Sequence, residues 1–246
     1  MKGMTQRTLI QLTGPDARSF LQNLITNDVD RTAGGLVYSA LLTPQGKFIA
    51  DFFVLADGDA LVLDVAASHA PTLAQRLSMY KLRADLEISE RAQTVSRGTG
   101  PAPEGALPDP RHPALGWRLY GGDAPADGTD WDALRVEHVI PETGIELTPE
   151  TYILEAGFER LNGIDFRKGC YVGQEIAARM KHKTELKKGL VQVEIDGAAP
   201  VGTEITANGK PAGTLYTQNG NRALAHLRFN RAEGEMQADS ATLRRP

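Results

Sequence analysis

The chain has a single cysteine, Cys170, in 246 residues. One thiol cannot close an intramolecular disulfide, which excludes a disulfide-stapled secreted fold and favours a reducing compartment. Histidine is also scarce. The five stand apart at positions 69, 112, 138, 182 and 226, without His-x-x-His or Cys-x-x-Cys spacing, so the chain is not expected to hold a metal cluster by itself. No apolar run approaches the ~20 residues needed to span a bilayer. The opening "MKGMTQRTLIQLTG" lacks both the apolar core of a signal peptide and the Arg/Ser-rich character of a transit peptide. The expectation is a cytoplasmic protein with no membrane contact. Neither charge dominates: the formal net charge is −4, which argues against general attraction to nucleic acid or anionic lipid. Low-complexity tracts and short-period repeats are lacking as well.

With 41% hydrophobic residues, the chain can bury a large core, as one large domain or two packed ones. "RTLIQLTG" reads as a strand, and "GPDARSFLQNLITNDV" after it as a helix with Ala17, Phe20, Leu21 and Leu24 on one face. "LVYSALLT" and "FIADFFVLADGDALVLDVAA" give three strands, separated by the Pro-Gln-Gly and Asp-Gly-Asp turns into consecutive hairpins. "SHAPTLAQRLSMYKLRADL" predicts a helix capped by Ser68 with Leu73, Leu77 and Tyr80 on one face, followed by the strand "LEIS". Helices on one side of an antiparallel sheet make an α+β domain. "RGTGPAPEGALPDPRHP", residues 97–113, has five prolines in seventeen residues and predicts an exposed loop without regular structure. "LGWRLY" predicts a short strand. "DWDALRVEHVI" and "TPETYILEAGFERL" predict helices, and from Leu186 onward short evenly spaced strands predict a small β-barrel or sandwich.

In "RKGCYVGQEIAARM", Gly169 and Gly173 bracket Cys170 and allow backbone conformations closed to other residues. Gln174 and Glu175 open a helix with Ile176, Ala177 and Met180 on one face. A thiol before a helix N-terminus, beside Arg167 and Lys168, has two physical reasons to favour the thiolate, the form that attacks electrophiles and binds metals. The bland alternative is a small buried hydrophobe, as most lone cysteines are. Between Arg167 and Lys188, seven Lys/Arg face two acids, a local +5 that leaves −9 on the remainder. This run reads either as a solvated helix face or as a docking site for an anion, such as a polyglutamate tail, an acidic partner or RNA. The acidic whole, and the lack of an aromatic-basic recognition motif, argue against direct nucleic-acid binding.

The segment Lys168-Gly169-Cys170-Tyr171, followed by Gly173-Gln174-Glu175, resembles the signature of the YgfZ family of folate-binding proteins. "FLQNLITNDV", "LLTPQGKFIADF", "YKLRADLEI", "EAGFERLNGIDF" and "AGTLYTQNGNRALAHLR" resemble that family's successive landmarks. More distantly, the chain is similar to the T-protein of the glycine cleavage system, a tetrahydrofolate-dependent aminomethyltransferase. The resemblance implies an α+β, T-protein-like ring of subdomains, with ferredoxin-like antiparallel sheets and helices, around a central pocket. A folate-binding domain would cover 1–185, its middle subdomain reduced to the loop 97–113, and a C-terminal β-barrel 186–246. It further implies an accessory protein in maturation or repair of iron–sulfur enzymes, especially [4Fe–4S] enzymes and including radical enzymes that modify tRNA. Cys170 would be the working thiol, sharing a transient [2Fe–2S] cluster with an A-type assembly protein.

For tetrahydrofolate, the family-like acidic strand corresponds to "GKFIAD", where Ala50 replaces one acid and Asp51 remains. Asp51 alternates with Ile49 and Phe53 on one strand face, a placement that is costly unless the carboxylate is paired or lines a polar pocket. The family-like helix glutamate corresponds to Glu137 in "RVEHV", a candidate acceptor for pterin N–H groups. Glu137 could equally be an exposed helix residue. Tyr80 and Arg83 are candidates to line the pocket, with Tyr80 alternatively in the core. The alternative function is a folate-dependent aminomethyltransferase or demethylase with Asp51 as base.

Overall fold

The computed structural model describes residues 6–122, 124–125, 127–183 and 185–245. The chain divides into two compact units, one of residues 1–129 and 158–178, the other of 130–157 and 179–246. The sequence places the division at 185, but the segment 130–157 groups with the C-terminal strands.

In the first unit, β1 (Arg7–Thr13), β2 (Val37–Leu42), β3 (Phe48–Asp57), β4 (Ala60–Ala66) and β5 (Glu87–Arg91) form an antiparallel sheet ordered β2-β3-β4-β1-β5. The hairpins expected at residues 43–47 and 57–60 are present, with Gly46 and Gly58 at positive φ. Helices α1 (Ala17–Gln22) and α2 (Ala70–Lys81) supply Ala17, Phe20, Leu21, Leu73 and Leu77 to a core shared with Ala50, Phe52 and Val54 of β3. Ser68 is not the cap of α2: His69 is the N-cap, without a side-chain capping bond, and the Ser68 hydroxyl lies 3.0 Å from its Nδ1.

The other face of β3 carries Asp51 and Phe53, as the alternation requires. The short strands β6 (Val95–Gly98), β7 (Leu107–Pro108) and β8 (Trp117–Tyr120) form a second sheet, ordered β6-β8-β7. Val95 and Tyr120 pack with Leu9, Leu55 and Val62 of the main sheet. The 97–113 segment is thus not wholly an exposed loop. It contains β7, and its Asp109 and Arg111 are buried because each satisfies the other: the Arg111 guanidinium donates to both Asp109 oxygens, at 3.0 and 2.8 Å.

In the second unit, β9 (Lys188–Asp196), β10 (Glu204–Ala207), β11 (Lys210–Asn219), β12 (Arg222–Arg228), β13 (Met236–Ala238) and β14 (Ala241–Arg244) close into a barrel, ordered β10-β11-β12-β9-β14-β13. Its interior is filled by small and branched side chains, including Ala207, Ala212, Ala223, Ala225, Val193, Leu215 and Leu243. Close approach is built in: a Cβ on Gly213 would sit 2.3 Å from the His226 carbonyl. Helix α3 (Trp131–His138) starts at Asp130, whose carboxylate accepts from the Ala133 N–H, and ends at Val139 in the left-handed region. Residues 148–161, expected as a helix, form successive turns that run on to residue 162. Short-range bonds such as Gly157 N–H to Leu154 O close them, and Gly157 and Asn162 sit at positive φ, which a helix cannot continue through.

Candidate functional site

The Cys170 motif is built inward from both sides of the thiol. Lys168 is buried, and its ammonium donates to the Gln22 and Ile25 carbonyls, each at 2.6 Å. Burial lowers its pKa to about 8, partly opposed by Asp28 and Asp165. The cation therefore faces the turn after α1, which corrects the expectation that it acts as a free charge beside the thiol and as part of the surface basic run. Tyr171 is buried too, its ring 5.1 Å from the Lys168 ammonium and its hydroxyl without a partner among the described residues. Burial pushes its pKa up to about 12. Cys170, between these anchors, is exposed, which removes the reading as a buried hydrophobe.

The flanking glycines have different roles. Gly173 has φ +85° and a Cβ there would stand 2.7 Å from the Thr43 carbonyl, so the motif is pressed onto the β2–β3 hairpin and only glycine fits. Gly46 of that hairpin meets Ile176 in the same way. Gly169 faces open space. Gln174 and the exposed Glu175 begin helix α4 (Gln174–Lys183), with Gln174 N–H bonded to Tyr171 O. Of the basic run, Arg167, Arg179, Lys181, His182 and Lys187 are exposed, while the Lys183 side chain lies outside the described residues.

A second polar assembly covers the Asp51 face of the main sheet. Asp51 is buried and accepts the Tyr38 hydroxyl at 2.9 Å. Burial, then the Asp51 charge, pushes the Tyr38 pKa well up. Three guanidinium groups, of Arg118, Arg111 and Arg7, lie over the Phe53 ring at 4.0, 4.9 and 5.8 Å, within cation–π range. Asp64, fully buried, accepts from Arg7 Nε at 2.5 Å, Tyr120 at 2.9 Å and Arg118 Nε at 3.3 Å. Burial alone would raise the Asp64 pKa, but the guanidinium charges of Arg118 and Arg7 hold it below the ordinary carboxylate value. Sequence reading passed over Arg7, Asp64, Asp109, Arg111 and Arg118. An acid inside the apolar run "LVLDVAA" was the one available signal.

The other expected residues stand as follows. Tyr80 packs against the hydrophobic core from α2, and Arg83 is exposed just beyond that helix. Glu137 is exposed on α3 in the second unit. Next to it in sequence, Arg135 and Val136 are buried. Arg135 bonds Glu146, Asp132 and the Ile140 carbonyl, and Glu146 in turn accepts from the Thr217 hydroxyl at 2.6 Å. Among the described residues, no three His, Cys, Asp or Glu side chains converge as a metal site. No described helix is long and apolar enough to cross a membrane.

Fold and sequence together define the class. The chain has an aminomethyltransferase-like fold of mixed α and β structure ending in a six-stranded barrel. It aligns with glycine cleavage system aminomethyltransferase T from Bartonella henselae at a TM-score of 0.75 and 14% identity, covering 98% of this chain and 83% of that one. Residues 3–99 match the GCVT N-terminal domain, and residues 187–245 match the CAF17 C-terminal beta-barrel domain.

The likeness narrows to iron–sulfur cluster assembly factors of the CAF17/IBA57 kind. The mitochondrial iron-sulfur cluster assembly factor IBA57 homolog of Neurospora crassa is 33% identical over 84% of this chain, which spans 56% of the length of that relative. Mitochondrial IBA57 of Mus musculus is 28% identical over 94% of this chain and 78% of its own length. These relatives overturn the expected cytoplasmic placement, since both are mitochondrial proteins by name.

Proposed function

We propose that this protein is a tetrahydrofolate-binding accessory factor for maturation or repair of iron–sulfur enzymes, with Cys170 as its working thiol. The observation that carries the reading is the form of the motif. One exposed thiol stands between a buried lysine and a buried tyrosine, in a chain whose relatives are named as iron–sulfur assembly factors. A single thiolate supplies one ligand to a cluster, so the working state is a transient [2Fe–2S] cluster shared with an A-type assembly protein. The clients are [4Fe–4S] enzymes, including the tRNA-modifying radical enzymes associated with the YgfZ branch.

The residues present fit the chemistry of a folate in part. Asp51 is a buried carboxylate that accepts a hydrogen bond from the Tyr38 hydroxyl, as a pterin acceptor must accept hydrogen bonds from N–H groups. Glu137 offers an exposed carboxylate, and Arg83 an exposed cation suited to the carboxylates of a glutamate tail. Tyr80 faces the core and contributes shape rather than a polar contact. Two experiments test the reading. Complementation of [4Fe–4S] enzyme activity under oxidative stress should fail with Cys170→Ala, and full rescue by that variant would remove the thiol from the mechanism. Anaerobic calorimetry should show tetrahydrofolate binding that is weakened in Asp51→Asn and in Glu137→Ala. No binding by the folded wild type would remove the folate.

A further inference from the structure

We propose that Lys168 is the positioning residue of this site, its buried ammonium fixing where the Cys170 thiol stands. The proposal deepens the reading of Cys170 as the working thiol, and its test does not depend on that reading.

Gln22 is the last residue of α1, and Ile25 lies in the turn that follows. The Gln22 carbonyl, at the helix end, has no partner within the helix, and it and the Ile25 carbonyl, where the chain bridges Leu41, both accept from one ammonium at 2.6 Å. Bonds to a charged donor are stronger than neutral ones, and leaving two largely buried acceptors without it is costly. The contact spans 146 residues of sequence to Gln22 and 143 to Ile25, so it ties the motif to a distant part of the same unit. On the other side of the thiol, Tyr171 is buried and Gly173 is wedged against Thr43. Gly169, between lysine and cysteine, meets nothing. Cys170 is thus an exposed residue on a short crest whose N-terminal footing is the Lys168 ammonium. A surface-exposed lysine at 168 could not serve in this way, because a flexible solvated stem has no fixed end.

The single native cysteine makes the test direct: a nitroxide attached to Cys170 of the full chain has no competing thiol. In the wild type its room-temperature spectrum should be that of a restrained label. In Lys168→Met, with circular dichroism unchanged, the label's correlation time should shorten at least about threefold, toward the fast nanosecond motion of free loops. In Lys168→Arg, a longer donor reaching the same carbonyls should restore the restrained line shape. The mean distance from Cys170 to a second label at Ser78→Cys, on the exposed side of α2, should shift. A folded Lys168→Met whose spectrum matches the wild type overturns the proposal. Where the methionine variant does not fold, an unchanged inter-label distance in Lys168→Arg overturns it. Full complementation by Cys170→Ala, in contrast, would sink the working-thiol reading and leave the label result standing.

Discussion

Replacing Asp64 with asparagine keeps the shape of the side chain and removes its charge. In the native structure that carboxylate, wholly shielded from solvent, receives Arg7, Arg118 and Tyr120, and the Arg7 and Arg118 side chains are themselves 9% and 3% exposed. The substitution therefore removes the buried negative charge that both guanidinium groups face and turns an amide N–H₂ toward donors. Breaking a buried pair in this way costs about 3–5 kcal/mol, a large part of the ~5–15 kcal/mol that holds a domain folded. At roughly 2–4 °C per kcal/mol for a domain of this size, Tm should fall by about 6–20 °C. Urea titration of the full chain at pH 7, followed by circular dichroism, measures the free-energy loss, and a thermal melt under the same conditions the change in Tm. The pH dependence adds a second check. Because the folded pKa of Asp64 is depressed, its contribution is full above the unfolded value near 4 and is lost as pH falls through the folded value. The gap between wild type and Asp64→Asn should hence narrow as pH is lowered through that range. A loss under about 1 kcal/mol at pH 7, or a gap independent of pH, would refute the assignment of Asp64 as the ionic link between the two sheets.

Tyr171→Phe should leave stability unchanged or raise it by about 1 kcal/mol, because the hydroxyl is buried without a partner among the described residues; a loss of that size in a urea melt would show that the hydroxyl has one. Gly173→Ala should cost about 1–3 kcal/mol through positive φ and the approach to Thr43, while Gly169→Ala should change stability by less than about 0.5 kcal/mol. Equal effects at the two glycines would refute the wedge. In the second unit, Arg135→Met should destabilise by about 3 kcal/mol, since it leaves the Glu146 carboxylate buried without its guanidinium partner. A neutral result in a denaturation curve would show that Thr217 and the Glu142 N–H suffice for that carboxylate.

The parts of the fold that were legible from sequence are those where one period or one turn decides the outcome. The glycine turns at 46 and 58 and the even strands from Leu186 onward appear where local pattern places them. Within β3, Asp51 and Phe53 alternate with Ala50, Phe52 and Val54, but Ile49, expected beside Asp51, packs against the opposite-face core where the pairing with β2 shifts register. The helix expected over 148–161 is instead a chain of turns, because apolar spacing is shared by both and the positive φ of Gly157 and the short-range turn bonds are not visible in that spacing. Burial of Asp109 and Arg111 inside a proline-rich segment is a tertiary effect: the two pair with each other, and the Arg111 guanidinium lies against the Phe53 and Tyr38 rings of the main sheet. For the site, the sequence located the thiol and its glycines but misjudged Lys168. Adjacency in the chain brought the lysine next to the cysteine, whereas the fold directs its ammonium to carbonyls nearly 150 positions earlier.

An exposed thiol without a second one in this sequence has no internal disulfide to resolve its oxidation. A disulfide that resolves a sulfenic acid at Cys170 must take its second sulfur from outside this chain, from glutathione, a reductase or another copy. The oxidation state of the thiol is consequently set by its surroundings, by the oxidants that reach an exposed sulfur and the thiols that can reduce it again.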